Sequence, residues 1–260
     1  MAQDFVELCE TLWRDWLAGV LKVSPFVDAT FDTEAAPEPY ISFHAGERSL
    51  VALTTNPGAT MAHQLRRTVQ RGNGPLNNSI DFATAARILG PFYEQALPSK
   101  NPARHRIAKL SNLAHLVGAD GVLQVEACPF HSPLLSMVKK RALLREAGEG
   151  GFMTRYVASL RGFISQHPVV VISAVSAQVS LQYGLKMSPW IEWQANIAGV
   201  NLETASFVPL VTKGPKTTCG AFVSSVDGAQ KVLVLMMGSN NLPGGESLET
   251  LAHAFRIASK

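Results

Sequence analysis

Apolar residues recur every three or four positions from residue 2 to 22: Phe5, Leu8, Cys9, Leu12, Trp13, Trp16, Leu17, Val20 and Leu21. That spacing lines one side of an α-helix. Residues 24–47 are acidic and proline-bearing, and read as a connecting loop with one short strand at Tyr40-Ile41-Ser42-Phe43. The apolar run Ser49-Leu50-Val51-Ala52-Leu53-Thr54 is a strand that leads into Asn56-Pro57-Gly58 and a helix from Ala59. Helical periodicity continues over about 79–97 and 103–117. A second strand, Val122 to Ala127, ends at Cys128-Pro129-Phe130-His131-Ser132, and helices follow at about 133–147 and 152–166. A third strand, Val169 to Ser173, precedes a short helix that ends at Gly184. From Trp190 to Val226 the pattern alternates and is broken by Gly and Pro, which predicts antiparallel strands or a hairpin at a sheet edge. A final strand over 231–237, the turn Gly238 to Gly245 and a helix over 246–258 close the chain.

Short apolar strands separated by helices predict a mainly parallel sheet covered on both faces, a three-layer α/β/α arrangement. The whole of 1–260 reads as one α/β domain. It has an N-terminal helix and acidic loop over 1–48, a core over 49–258, and a β-rich insert at about 190–226. In such sheets ligands sit beyond the carboxyl ends of the strands. Attention therefore falls on Asn56-Pro57-Gly58, Pro129 to Ser132, Ser173 to Ser176, and Ser239-Asn240-Asn241.

Composition narrows the class. The chain has 260 residues, 47% hydrophobic and 17% charged, an ordinary globular mixture. Its apolar runs are strand-sized, far short of the roughly 20 residues a membrane helix needs, and Met1 to Phe5 is unlike a signal peptide. Cys9, Cys128 and Cys219 are widely separated and form no metal-binding pattern, which predicts a reduced, cytoplasmic setting without a structural metal. The net charge of +3 hides an asymmetry. Residues 1–48 carry nine acids against three bases, and residues 49–260 carry 20 bases against 11 acids. Clustered positive charge suits a polyanion, although a merely soluble surface has the same look.

Several common chemistries are absent from the sequence. It contains no GxxxxGK[ST], no GxGxxG after the first strand, no GxSxG and no HExxH. What remains is a set of strand ends. In Asn56-Pro57-Gly58 the proline fixes a turn, the glycine permits close backbone approach, and the next helix offers amides to an anion. Asn56 supplies a carboxamide able to orient a water or a base. Phe130 is an aromatic placed for stacking on a planar ligand, and His131 and Ser132 are polar residues beside it, the imidazole able to donate or accept a proton near neutral pH. Ser239, Asn240 and Asn241 suit a phosphate backbone, with Leu242 as an apolar tip able to enter a base stack. The plainer alternatives are a tight turn at Asn56, a core position for Phe130, a structural histidine and a Gly/Asn-rich turn.

Together these strand ends resemble the uracil-DNA glycosylase superfamily. Thr54-Thr55-Asn56-Pro57-Gly58 is similar to the first motif of its mismatch-specific branch, a strand followed by Gly-Ile-Asn-Pro-Gly. Val125 to Phe130 stands where the family has a strand ending near a base-stacking aromatic. Met237-Gly238-Ser239-Asn240-Asn241-Leu242 stands where it has His-Pro-Ser or Asn-Pro-Ser and a leucine-bearing loop. The likeness spans about residues 49–258. The sequence departs from it at Met237 and Gly238, in place of the usual His or Asn and Pro, and at Thr54, in place of Gly.

The resemblance implies a cofactor-free hydrolysis of the N-glycosidic bond of a flipped, non-standard, mismatched or modified base in DNA. It gives Asn56 the attacking water, with Ser239 and Asn240 completing the catalytic set. Pro57, Gly58, Phe130, His131 and Ser132 would hold the base. Arg66, Arg67, Lys139, Lys140, Asn241 and Leu242 would hold the DNA. Two other classes stay open: a non-catalytic DNA- or nucleotide-binding protein of the same fold, and a small-molecule nucleoside hydrolase.

Overall fold

A computed structural model of the chain describes residues 2–43, 48–55, 81–96, 100, 102–132, 136–175, 188–210, 218–226, 228–237 and 242–257. Its elements in chain order are α1 (Ala2–Leu17), α2 (Pro25–Thr30), β1 (Tyr40–Phe43), β2 (Ser49–Thr54), α3 (Phe82–Ala96) and α4 (Pro102–Leu116). Then come β3 (Gly121–Glu126), α5 (Met137–Gly148), α6 (Phe152–Ile164), β4 (Val169–Val175) and α7 (Pro189–Ala198). Strands β5 (Ser206–Val208), β6 (Thr218–Val226) and β7 (Ala229–Met237) and helix α8 (Glu246–Ile257) complete them. The helix expected from Ala59 and the one expected to end at Gly184 lie outside the described residues.

The protein is α/β, with a mixed seven-stranded sheet in the order β1-β3-β2-β4-β7-β6-β5. Strands β2 and β4 pair in parallel, Val51 opposite Val169, and β4 and β7 do so from Val169 opposite Lys231 to Val175 opposite Met237. The amide of Asp120 donates to Arg48 O where β2 and β3 begin, and that of Ala127 to Thr54 O where they end, so these two strands also run the same way. The edges reverse direction. Glu126 N donates to Pro39 O, setting the start of β1 against the end of β3, and β6 is antiparallel to both β7 and β5. Four parallel strands thus form the centre. Leu50 to Leu53 in β2 and Val232 to Leu235 in β7 are buried without alternation, as strands covered on both faces must be.

Contacts divide the chain into two compact units. The first comprises Met1–His44, Thr54–Pro98 and Leu123–Phe163. Phe5 is wholly buried there, its ring centroid 4.9 Å from that of Phe163 and 5.6 Å from that of Tyr156. The second comprises Ala45–Leu53, Ser99–Val122 and Ile164–Lys260, with a core that includes Val51, Val171, Leu233, Leu251 and Phe255.

The structure corrects the sequence reading at four places. Helix α1 stops at Leu17 instead of 22, because Gly19 takes φ +67° and the amides of Gly19 and Val20 turn back to Trp16 O and Asp15 O. Val20 is consequently exposed. Inside the expected loop 24–47 lies α2, started by Ser24, whose Oγ accepts from Val27 N, with Pro25 in the first helical position. The beginning of the expected β-rich insert is the helix α7, capped by Ser188 and Pro189 and ended by Gly199. Only its later part, β5 and β6, forms the antiparallel sheet edge. Finally, the helix expected from 133 is assigned from Met137, after the cap Ser136.

Candidate active site

Thr54, Thr55 and Cys128 to Ser132 lie at the carboxyl ends of β2 and β3, in the first unit. Thr54 Oγ1 donates to Val125 O at 3.2 Å. Beyond the strands proper, Ala127 N donates to Thr54 O and Cys128 N to Thr55 O, each at 2.8 Å. Thr55 immediately precedes Asn56, and Cys128 immediately precedes Pro129 to Ser132. Asn56, Pro57, Gly58, Arg66, Arg67, Ser239, Asn240 and Asn241 lie outside the described residues.

The segment after β3 is deeply seated. Phe130 and His131 are 0% exposed and Ser132 3%. The Phe130 ring packs on Phe152 with centroids 5.8 Å apart, and Phe152 in turn stacks on Tyr156. Phe130 therefore occupies a core position, and the open ring face expected of a stacking platform is covered in this structure. His131 Nε2 lies 2.7 Å from Ala36 O and 4.0 Å from Glu38 Oε1. Backbone bonds sew the segment 32–39 to the same strand end: Asp32 N donates to His131 O and Glu38 N to Pro129 O.

Around this strand end lies a buried polar group that motif reading did not nominate. Glu126 is 1% exposed and accepts from Gln124 Nε2 at 2.7 Å, while Tyr156 OH donates to Glu126 O at 2.9 Å. Burial pushes the Cys128 thiol up to about 12, against a smaller downward pull from the Phe130 amide. Burial likewise raises the Tyr156 phenol well above its ordinary value. The thiol and the phenol are thus neutral near pH 7. One signal was available in the sequence: Gln124 and Glu126 interrupt an otherwise apolar strand two residues apart, on one side of the pleat.

The expected DNA-contacting residues fall into different settings. Lys139 is half-buried and its Nζ donates to Thr30 O at 3.4 Å. Lys140 is also half-buried, and loss of solvent lowers its pKa. Leu242 is a correction. It is 1% exposed and its carbonyl accepts from Lys109 Nζ at 2.7 Å, so it is anchored in the second unit instead of forming an exposed apolar tip. Among the described residues no group of three or more His, Cys, Asp or Glu side chains could hold a metal ion, and no helix is long and apolar enough to cross a membrane. No protein-family model, no curated protein and no solved structure matches this chain.

Proposed function

We propose that the chain is a cytoplasmic DNA N-glycosylase of three-layer, uracil-DNA glycosylase-like architecture, hydrolysing the bond between deoxyribose and a non-standard, mismatched or modified base. One observation carries the reading. The order of the parallel strands reverses at β2, which has β3 on one side and β4 on the other. Ligands of doubly wound sheets bind at the carboxyl edge where that reversal occurs. At the same end of β2, on its β3 side, Cys128 N bonds Thr55 O, and the sequence runs on from these two strand ends into Asn56-Pro57-Gly58 and Pro129 to Ser132.

In this reading the target nucleotide leaves the stack, at a cost of a few kcal/mol, and enters the crevice. Asn56 orients the water. Amides near Gly58 stabilise the negative charge that develops on the departing base. His131 and Ser132, buried like Phe130, present no open face to a base in this structure. Ser239, Asn240 and Asn241 hold the phosphates of the flipped strand. Arg66, Arg67, Lys139 and Lys140 add attraction that is independent of sequence and sensitive to salt. The burial of Leu242 gives it no part in this.

A second reading has its own observation. The full burial of Phe130 against Phe152 favours a binding protein in which this strand end is structural and no base is excised. The deciding experiment is abasic-site formation on DNAs carrying uracil, mismatched thymine, hypoxanthine and hypermodified cytosines, with free nucleosides alongside. An abasic product on any DNA supports the glycosylase. Salt-sensitive DNA binding without product supports the binding protein. Cleavage of nucleosides alone supports a small-molecule hydrolase.

A further inference from the structure

Between Glu94 and Asp120 the chain carries Lys100, Arg104, Arg106 and Lys109 and no carboxylate, and α4 occupies most of that stretch. The helix buries Ile107, Leu110, Leu113 and Ala114, which fixes the side it turns to solvent. On that side Arg104, His105, Ala108, Asn112 and His115 are exposed and Lys109 is half-buried. These positions follow one another at spacings of three and four, so they form one continuous face, about 16 Å long at 1.5 Å per residue. Arg106 stands off this face, and its Nε is buried.

A solvated helix face ordinarily mixes charges of both signs, which pair at i, i+4 and keep the local field small. A face of one sign builds a potential that gathers a polyanion. Helix α8, which packs on α4, carries Glu246 and Glu249 in its first turn and Arg256 in its last, so it offsets only part of that field. Lys109 is already held in place: its Nζ donates to Leu242 O at 2.7 Å, which uses one of the three ammonium protons. An anionic membrane fits this face less well, because interfacial helices set bulky apolar side chains beside their cations. Here the residues between the cations are Ala108 and Asn112. The exposed large hydrophobics among the described residues, Val20 and Phe207, lie elsewhere.

We propose that the exposed face of α4 is a docking surface for the phosphate backbone of DNA. Arg104 and Lys109 supply the charge, and His105, Asn112 and His115 supply further hydrogen-bond donors. This rests on the DNA reading above but not on the excision chemistry. Phosphate contacts position a duplex without reading its sequence, so the surface grips any DNA alike. Each neutralised phosphate releases counterions, and the affinity falls with salt by about 0.9 in log–log slope per contact.

The test is binding of the full-length protein to a short undamaged duplex between about 50 and 200 mM salt, with abasic-site formation measured beside it. Ala108→Glu puts a carboxylate in the middle of the face and removes no contact. It should weaken binding about fivefold, and Ala108→Lys should tighten it about threefold. Arg104→Gln combined with Lys109→Gln should lower the salt slope by about two. Ala18→Glu, the same charge change at an exposed position just past α1, should alter binding less than about twofold. Equal effects of Ala108→Glu and Ala18→Glu overturn the proposal, since the attraction would then follow net charge alone. An unchanged salt slope in the double variant overturns it, and so does a wild type that binds no DNA at the low-salt end. Binding to vesicles of phosphatidylserine and phosphatidylcholine that is tighter than to DNA, and sensitive to the same variants, overturns it in favour of a membrane. DNA binding with the expected variant dependence but no abasic product overturns the glycosylase reading and leaves the surface in place. Abasic product with binding indifferent to α4 does the reverse.

Discussion

The carboxylate of Glu10 accepts the amide of Phe82 at 2.9 Å and that of Ala83 at 3.0 Å, so a side chain on α1 satisfies the opening turn of α3. Asp81 takes the next amide, Thr84 N, at 2.7 Å. The first amides of a helix have no partner within it, and the helix dipole makes a carboxylate a favourable one. A long-range contact thereby does the work of a local cap.

Replacement of Glu10 by Ala should cost about 1 to 2 kcal/mol, the usual range for a lost cap, read as a lower urea midpoint at an unchanged m-value. Glu10→Gln should lose less, because one amide can still be satisfied. Asp81 adds an acid dependence. Its bonds to the Thr84 amide and hydroxyl lower its pKa below 3.8. Its share of stability is therefore complete above that pH and lost as pH falls through the lowered value.

Lys231 is the counterpart in the second unit. It is 1% exposed, and its Nζ donates to the carbonyls of Ile164 and Ser165 at 2.8 Å and also to that of His167. A buried ammonium is tolerated only when its protons are taken up, and these three carbonyls take up all three. Lys231→Met keeps the volume and removes the donors, leaving carbonyls unsatisfied. It should cost about 3 kcal/mol or more by chemical denaturation. A loss below about 1 kcal/mol would mean that water reaches the carbonyls readily.

The pH dependence of the second unit follows from His167. Burial, and then the nearby charge of Lys231, lower its pKa from the ordinary 6.5. A histidine with a lowered pKa stabilises the fold as the neutral ring. Its contribution is complete above 6.5 and is lost as pH falls toward the lowered folded value. Between about pH 7 and 5 the wild type should lose stability more steeply than His167→Gln. Lys231→Met should show an intermediate slope, because one of the two causes is gone. Urea midpoints across that range measure all three.

Much of this architecture was legible because period and punctuation agreed. Leu50 to Leu53 and Val232 to Leu235 are strands with no polar interruption, and only a buried strand reads that way. The errors came where a short cap outweighed pattern. Ser24-Pro25 and Ser188-Pro189 each begin a helix that an alternating or proline-bearing stretch concealed. Gly19 ends α1 although the apolar stripe runs on through Val20 and Leu21. At the candidate site, the strand ends were legible and the burial of Phe130 and Leu242 was not, because an aromatic or leucine after a strand looks the same whether a ligand or the core covers it. Glu38 and Glu10 escaped entirely, since their partners His131 and Phe82 are distant in sequence.

Packing tolerances separate two glycines. A methyl group added at Gly90 in α3 would overlap the carbonyl oxygen of Ser42 in β1, whereas one added at Gly148 would meet nothing within 4 Å. Gly90→Ala must push a helix off a strand and should cost about 3 kcal/mol, the upper range for overpacking. Gly148→Ala, at the end of α5, should be neutral or slightly stabilising, because Ala loses less backbone entropy than Gly in a helix. Thermal unfolding of the pair gives the contrast directly. Similar Tm values for the two would show that α3 and β1 can separate freely.

The functional proposal stands or falls with Asn56. A carboxamide that holds the attacking water contributes only when the water is lined up on the anomeric carbon, so its loss should appear in kcat more than in DNA affinity. Asn56→Ala should lower single-turnover abasic-site formation about 100-fold while the salt-dependent DNA affinity stays within about threefold, since the basic side chains supply that attraction. Asn56→Asp separates water positioning from base recognition. A carboxylate can still hold water, but it repels the negative charge that builds on the departing base, so this variant should retain binding and fall between wild type and Asn56→Ala in rate. If Asn56→Ala instead cleaves within about threefold of wild type, the strand end of β2 is only a turn. The chemistry would then have to be sought among the buried groups at the end of β3.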